Sequence, residues 1–313
     1  MPPHATIDAG SPPPSERALE VVRGAYDLHV HLAPDAMERS AYDYEVAQRF
    51  AEVGMAGMVL KSHYVPTAER AAVARRLVPG VDTRGSITLN ATVGGLNPVA
   101  VEIAAREGAA VVWLPTVDAE NETAGRIDLP PDANVPVWAT LQQDLRRRGF
   151  ATPPVPVVDG SGAIVPALHD VLQLIVEHDL VLATSHLARD EIFTVVEAAV
   201  TAGVSRIIIT HPEFPSQSLS ADDQVALAAR GALLERCFTT PNTAKVPWEV
   251  MLANIRACGV HASFLASDLG QKGAAAVEFG LPHFADRLLA EGFTADEVRR
   301  MAVDNPSRLL GAG

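Results

Sequence analysis

Apolar residues recur along this chain in eight short, β-branched runs separated by polar or glycine-containing segments. Runs of this length and composition predict buried β-strands. We expect the strands at 25–31, 57–62, 86–90, 110–115, 180–185, 206–210, 231–238 and 261–267. Helical segments are expected between most of them, at 40–53, 67–77, 97–107, 167–178, 189–202, 220–229 and 246–257.

The alternation of strands and helices predicts the fold class. Strands that alternate with helices form parallel sheets joined by right-handed crossovers. Eight such units predict an α/β protein with a (β/α)8 TIM barrel. Residues 1–18 are rich in proline and serine and are expected to form a flexible N-terminal arm. Residues 19–313 are expected to form a single domain.

One segment interrupts the regular spacing. Between strands four and five the chain makes a detour over about residues 118–166. This insert contains a predicted hairpin from Val155 to Val165, which turns at Asp159-Gly160-Ser161-Gly162. Long inserts at the C-terminal face of a barrel often cover the active site. We expect a lid, with a structural or oligomer-contact role as the alternative.

The C-terminal region carries helix signals. Thr294 and Glu297 have the spacing of a capping box and predict a helix start. Asn305-Pro306 is expected to end that helix, because the residue before proline disfavours the helical region.

Composition narrows the function classes. A chain of 313 residues with 48% hydrophobic residues can bury a large core. The net charge of -13 argues against nucleic acid as a partner, because phosphate binding needs a basic surface. No long uncharged apolar run and no signal-like N-terminus are present, so we expect no membrane span and a cytoplasmic location. The chain has two cysteines, Cys237 and Cys258, and they indicate neither a disulfide framework nor a cysteine zinc site.

Metal-binding side chains follow four of the predicted strands. His29 and His31 are two residues apart in strand one, so they point to the same face. His186, His211 and Asp268 follow strands five, six and eight. The C-terminal ends of parallel strands meet at one face, and histidines with a carboxylate there are suitable ligands for a catalytic divalent metal. The residues therefore predict a metal-dependent hydrolase.

This ordered set resembles the amidohydrolase superfamily, and the chain is most similar to its uncharacterised members. The resemblance extends over residues 27–310. The C-terminal Asn305-Pro306-Ser307-Arg308-Leu309-Leu310-Gly311 is also similar to the helix ending common in that superfamily. It implies a metal site at the C-terminal end of a (β/α)8 barrel. The implied ligands are the HxH pair His29 and His31, the strand-five and strand-six histidines His186 and His211, and the strand-eight aspartate Asp268.

One position departs from the superfamily pattern. Binuclear members usually take a bridging carboxylated lysine or glutamate from strand four, and this strand has neither. Lys61, at the end of strand two, is a candidate bridge if its neutral amine captures carbon dioxide as a carbamate. A buried salt bridge or a contact to a substrate carboxylate is the alternative. His63 shares a strand face with Lys61 and is a candidate for binding metal or substrate, with a structural hydrogen bond as the alternative.

Further polar residues lie where the barrel mouth should open. Candidates for substrate contact at the strand tips are Asn90, Thr116, Thr240, Asn242 and Gln271. Turn and capping roles explain the same residues equally well. Lys245, Lys272 and Arg189 are candidates for pairing with an anionic substrate, with surface solvation as the default.

The resemblance and the residues together predict a reaction class. A divalent ion lowers the pKa of its bound water, and Asp268 would accept the proton and pass it to the leaving group. We expect zinc, at one or two ions per chain, with manganese, iron, cobalt or nickel as alternatives. The expected substrate is a small molecule with an amide or cyclic amide C–N bond. The alternatives are a lactone, ester or phosphoester on the same site, and then a mononuclear deaminase.

Two hypotheses from other classes remain at this point. Lys61 could form a Schiff base in an aldolase, but that leaves the histidines and Asp268 unexplained. A metal-binding protein without catalysis is the other, and it fits poorly with an open barrel-mouth site. A homo-oligomer is also expected as an option for an enzyme of this size.

Overall fold

A computed structural model describes residues 6–123, 137–150 and 152–312. Eight parallel strands follow one another in sequence order around a nearly closed barrel. This confirms the predicted (β/α)8 architecture and all eight expected strands. The strands are β1 (Tyr26–Val30), β2 (Gly57–Leu60), β3 (Asp82–Thr88), β4 (Ala109–Trp113), β5 (Val181–Ala183), β6 (Ile207–Ile209), β7 (Leu233–Cys237) and β8 (Ser263–Ala266).

Helices follow the strands as the sequence predicts, with ends that shift by a few residues. They are α1 (Glu16–Val21), α2 (Asp43–Val53), α3 (Ala68–Leu77), α4 (Pro98–Arg106), α5 (Glu120–Thr123), α6 (Val137–Arg147), α7 (Pro166–Glu177), α8 (Arg189–Ala202), α9 (Ala221–Ala228), α10 (Thr239–Asn242), α11 (Trp248–Cys258), α12 (Val277–Ala290), α13 (Ala295–Arg299) and α14 (Asn305–Leu310). No helix in the described ranges has the length and apolar character needed to cross a bilayer.

The first and last strands meet at a seam with few hydrogen bonds. The backbone N–H of His31 donates to the Leu269 carbonyl at 2.8 Å, and that of Asp268 donates to the His29 carbonyl at 2.9 Å. The buried carboxylate of Asp27 accepts from the backbone N–H of His29 and of Ser267, at 3.2 and 3.0 Å. The ends of β1 and β8 are thereby held in register at the C-terminal face of the barrel.

The insert after β4 contains α5 and α6 and the expected hairpin turn. Val158 and Ile164 form one antiparallel bridge. The Asp159 N–H donates to the Ala163 carbonyl, and the Asp159 carboxylate accepts from the Ser161 N–H at 2.8 Å. The turn is therefore stabilised by its own aspartate. Residues 124–136 and 151, which belong to the predicted insert, lie outside the described residues.

The C-terminal helix signals have different outcomes. The capping box is confirmed, because Thr294 Oγ1 accepts from the Glu297 N–H and Glu297 accepts from the Thr294 N–H. The expectation that Asn305-Pro306 ends the helix is wrong. A π-helical turn over residues 300–304 leads directly into α14, with Pro306 in its first turn.

The N-terminal segment lies against the barrel. The Ile7 N–H donates to Asn242 Oδ1 at 2.9 Å, and Asn242 Nδ2 donates to the Ile7 carbonyl at 2.8 Å. Asp8 forms an antiparallel bridge with Ala274. This segment belongs to the predicted arm, whose flexibility stays a prediction, and it lies across the C-terminal face.

Candidate metal centre

A cavity of about 600 Å³ opens at the C-terminal ends of the strands. This is the face at which TIM-barrel enzymes place their active sites. All the side chains that the sequence predicts as metal ligands line this cavity. They are His29, His31, Lys61, His186, His211 and Asp268, and His63 lies with them.

Three of these side chains converge on one point. His29 Nε2 and His31 Nε2 are 3.2 Å apart. Asp268 Oδ1 lies 3.3 Å from the first and 3.2 Å from the second. Two imidazole nitrogens and a carboxylate oxygen repel one another at this distance unless a cation or a proton lies between them. This donor set fits a divalent metal ion.

His186 and His211 form the opposite side of the cavity. Their rings lie 5.0 Å apart between centroids, and the His211 ring lies 6.1 Å from that of His29. His211 Nδ1 lies 3.2 Å from Gln217 Oε1. The amide nitrogen of Gln217 donates to the Ser185 carbonyl, so its oxygen accepts from the His211 ring. This arrangement leaves His211 Nε2 as a free lone pair for a metal ion.

Lys61 is fully buried among the histidines. Its Nζ lies 3.0 Å from His29 Nε2 and 4.2 Å above the Trp113 ring. Burial lowers the pKa of Lys61, although the carboxylates of Asp268 and Glu235 oppose this shift. A lowered pKa favours the neutral amine, which is the form that a carbamate requires.

Two carboxylates that the sequence analysis missed support the histidines. Glu235, fully buried in β7, lies 3.1 Å from His29 Nδ1, and its other oxygen accepts from the His211 backbone N–H at 3.1 Å. Glu122, in α5 of the insert, lies 3.0 Å from His186 Nδ1. A carboxylate accepts only, so the N–H of each ring is at Nδ1 and the ring lone pair, which is the metal-binding group of a neutral imidazole, is at Nε2.

A sequence signal existed for one of these two carboxylates. Glu235 lies in β7, all five residues of which are buried, and a buried charged residue is seldom found without a partner. Glu122 had no comparable signal, because its approach to His186 depends on how the insert folds.

Backbone conformation marks two of the ligands. His211 and Asp268 have positive φ angles of 25° and 54°, in a region that non-glycine residues seldom adopt. Such strain often occurs at functional sites. The Asp268 carboxylate is also held by Thr239, whose hydroxyl donates to Oδ2 at 3.1 Å.

The protonation states of the metal-free site suit metal binding. Burial holds the pKa values of His31, His63 and His211 well below the usual histidine value, and it lowers that of His186. Burial alone would raise the pKa of Asp268, but the rings of His29, His31 and His211 hold it well below its usual range. Neutral imidazoles and an ionised carboxylate are the forms that bind a metal ion.

His63 has a different environment from the other histidines. Its ring stacks on that of His31, with 4.8 Å between centroids. Its Nδ1 lies 2.9 Å from Thr116 Oγ1. Asn90 donates from Nδ2 to the His63 carbonyl at 2.8 Å and to Thr116 Oγ1 at 2.7 Å.

The structure brings only some of the expected substrate contacts to the cavity. Asn242, Gln271 and Lys245 line it. Asn90 and Thr240 are buried and do not line it.

Among the expected cations, Lys272 pairs with Glu38 and Arg189 with Asp223, both outside the cavity. Arg39, which the sequence analysis did not select, lines the cavity and pairs with Asp35 at 3.2 Å.

The N-terminal segment, and not the insert, supplies a wall of the cavity. Thr6, Ile7 and Asp8 line it. None of the described insert residues does so. The lid role of the insert stays a prediction. Two of its described residues contact His186: Glu122 lies beside the ring, and Asn121 Nδ2 donates to the backbone carbonyl at 3.2 Å.

Comparison with known proteins gives one family. A model described as "Family of unknown function (DUF6282)" matches residues 24–235. No curated protein matches the chain.

Solved structures share the fold at low sequence identity. A probable dipeptidase, PvdM, from Pseudomonas aeruginosa is 10% identical in sequence, with a TM-score of 0.60. The match covers 95% of this chain and 97% of the PvdM chain. A phosphotriesterase homology protein from Escherichia coli is 15% identical with a TM-score of 0.58, covering 92% and 98%. A putative 2-pyrone-4,6-dicarboxylic acid hydrolase from Pseudomonas putida is 17% identical with a TM-score of 0.57, covering 92% and 98%. These likenesses confirm the fold that the resemblance implies.

Proposed function

We propose that this chain, which belongs to the family of unknown function DUF6282, is a metal-dependent hydrolase. The observation that carries the proposal is the convergence of His29 Nε2, His31 Nε2 and Asp268 Oδ1 within 3.3 Å of one another in an open cavity. The fold shared with solved structures of metallo peptidases supports it.

We assign the metal to zinc, because imidazole nitrogens and a carboxylate oxygen are ligands that zinc accepts. His29, His31 and Asp268 would hold one ion. His186 and His211 would hold a second ion or complete the coordination of the first. When bound, the ion would lower the pKa of a water molecule and polarise the substrate.

Lys61 is proposed as the bridging ligand. Its neutral amine would add to carbon dioxide, forming an N–C bond and releasing one proton to give an anionic carbamate. The position of Nζ, 3.0 Å from His29 Nε2, supports this role. The absence of lysine and glutamate from β4 leaves this position as the candidate.

Asp268 is proposed as the proton carrier. Its carboxylate faces the histidines through Oδ1, while Thr239 fixes Oδ2. The low pKa keeps it ionised, and the ionised carboxylate is the form that can accept a proton from water. It would then pass the proton to the leaving group.

The proposed bond is the C–N bond of an amide or cyclic amide in a small molecule. The nitrogen of such a bond must be protonated to leave, which gives Asp268 a defined task. Lactones, esters and phosphoesters need the same machinery and belong in the same test. The aldolase alternative leaves the imidazoles around Lys61 unexplained.

Metal content per chain tests the proposal first. Protein purified without chelator or nickel should contain one to two equivalents of zinc by elemental analysis. Lys61→Ala should lose the second equivalent, and the intact wild-type mass under native conditions should include one added carbon dioxide. A chain that takes up no zinc, manganese or other divalent ion would contradict the proposal. Zinc-loaded protein is then assayed against a panel of amides, cyclic amides, lactones and phosphoesters.

A further inference from the structure

His63 differs from His29, His186 and His211 in what its Nδ1 faces. Nδ1 of His29, His186 and His211 faces an oxygen that can only accept, from Glu235, Glu122 and Gln217. Nδ1 of His63 instead faces a hydroxyl, which can donate. The direction of that hydrogen bond decides which nitrogen of His63 carries the proton.

The hydrogen bonds of Asn90 fix that direction. Its Oδ1 accepts from the backbone N–H groups of Thr116 and Asp118, at 2.8 and 3.3 Å. A backbone N–H can only donate, so the amide orientation is determined. Nδ2 of Asn90 therefore donates, and one of its hydrogens goes to Thr116 Oγ1 at 2.7 Å.

Thr116 is fully buried, and its hydroxyl hydrogen needs an acceptor. Within the described part of the chain, His63 Nδ1 is the acceptor in reach, at 2.9 Å. The opposite tautomer would have both Asn90 and His63 donate to Thr116 and would leave the buried hydroxyl without an acceptor. The network therefore holds the proton of neutral His63 at Nε2.

The two nitrogens of an imidazole lie on different sides of the ring. His63 lines the cavity and Thr116 does not. Because Nδ1 is turned to Thr116, we infer that the opposite edge of the His63 ring, with Nε2, faces the cavity. Its ring stacks beside His31, one of the converging ligands. An Nε2–H at this place is a hydrogen-bond donor next to the metal ligands and not a metal ligand itself.

We propose that His63 is a catalytic residue that donates a hydrogen bond from Nε2 to the substrate oxygen on which negative charge develops, and that Thr116 and Asn90 are positioning residues that set this tautomer. The inference rests on the proposed hydrolase function. A fixed donor aimed at a developing oxyanion stabilises the transition state, because its orientation costs no reorganisation during the reaction. Substrates are thus restricted to those with a carbonyl or phosphoryl oxygen beside the scissile bond.

The tautomer can be measured without knowing the substrate. Protein labelled with ¹⁵N-histidine is examined by long-range proton–nitrogen correlation spectra, with His63→Gln used to assign the signals. We expect the Nε2–H pattern for His63 with and without zinc. An Nδ1–H pattern, or a zinc-dependent shift at Nε2 that indicates coordination, would overturn the proposal.

Variants separate His63 from the ligands. His63→Gln should retain the wild-type zinc content, whereas His31→Ala should lose zinc. Loss of zinc in His63→Gln with a folded chain, shown by circular dichroism, would make His63 a ligand and refute the inference. Failure of the wild type to bind any metal would instead refute the proposed function, while the tautomer pattern would still be readable.

Thr116 offers a matched pair of variants. Thr116→Ser keeps the hydroxyl and should keep the Nε2–H pattern, whereas Thr116→Val removes the donor and should lose it. On a substrate found by the panel, His63→Gln and Thr116→Val should lower kcat by about 10-fold or more with smaller effects on KM, as expected for loss of an oxyanion donor. Equal tautomer patterns in the two Thr116 variants would refute the positioning role.

Discussion

Glu235→Gln tests whether the buried carboxylate behind His29 supports metal binding. The carboxylate oxygens of Glu235 accept from two separate donors, the His29 ring and the His211 backbone, each at 3.1 Å. Glutamine keeps nearly the same shape but has only one acceptor oxygen. One of the two N–H groups must therefore face an NH2 group, or the His29 ring must turn.

The magnitude follows from the hydrogen bonds that are lost. A buried hydrogen bond to a charged group contributes about 1.5–3 kcal/mol. Loss of a carboxylate partner to a metal-binding histidine typically weakens metal binding by about 10- to 100-fold, which corresponds to about 1.4–2.8 kcal/mol. The two figures agree, so we expect the zinc affinity of Glu235→Gln to fall by about 10- to 100-fold.

Competition with a chromophoric chelator measures this affinity, and circular dichroism checks that the variant is folded. Glu278→Gln is the matched control. Glu278 is largely buried and lies 3.8 Å from Arg49, and none of its contacts among the described residues is with a histidine. The control should bind zinc like the wild type. Equal zinc affinity in folded Glu235→Gln and wild type would refute the reasoning, because it would mean that His29 needs no carboxylate partner.

Three further predictions concern the same centre. Asp268→Asn should lower turnover by at least about 100-fold in zinc-loaded protein, since general acid–base catalysis typically contributes about 10²–10⁴-fold. Near wild-type turnover with metal bound would exclude Asp268 as the proton carrier. Gly270→Ala would place a Cβ 1.6 Å from the His31 carbonyl oxygen, whereas Gly273→Ala, also at positive φ, meets nothing within 4 Å. The first should therefore lose about 2–6 kcal/mol of stability in urea unfolding and the second about 1–3, and equal losses would contradict the close approach of Gly270 to the His31 backbone. Metal-free protein should lose stability as the pH falls from 6 to 5, by about 1.4 kcal/mol per pH unit for each net proton that the unfolded chain takes up. The reason is that burial lowers the pKa values of His31, His63, His186 and His211 in the folded chain, while Asp27, with a folded pKa of about 6, offsets part of the loss. A flat urea-unfolding profile over this range would contradict it.

The barrel and the converging ligands were readable from sequence because both depend on local rules. His29 and His31 share a face because strand side chains alternate, and Asp268 follows a strand whose end meets theirs. These inferences need only the order of the strands and the parallel topology.

The supporting residues were not readable, because their contacts depend on distances between segments far apart in the chain. Glu122 reaches His186 through the fold of the insert, and Asn90 sets the His63 tautomer through Thr116. Each substrate candidate at a strand tip had the same polar character in the sequence. Whether it turned into the cavity, as Asn242 did, or into the core, as Asn90 did, was decided by packing.

The position of the ligands on the barrel has a consequence for assembly. His29 lies in β1, His31 directly follows it and Asp268 follows β8. The converging donors therefore span the seam where few backbone hydrogen bonds join β1 to β8. An ion held there would link the first and last strands of the sheet. During synthesis this link cannot form until the eighth strand has emerged, so metal uptake would report completion of the barrel. Removal of the ion would weaken the contact between β1 and β8 first.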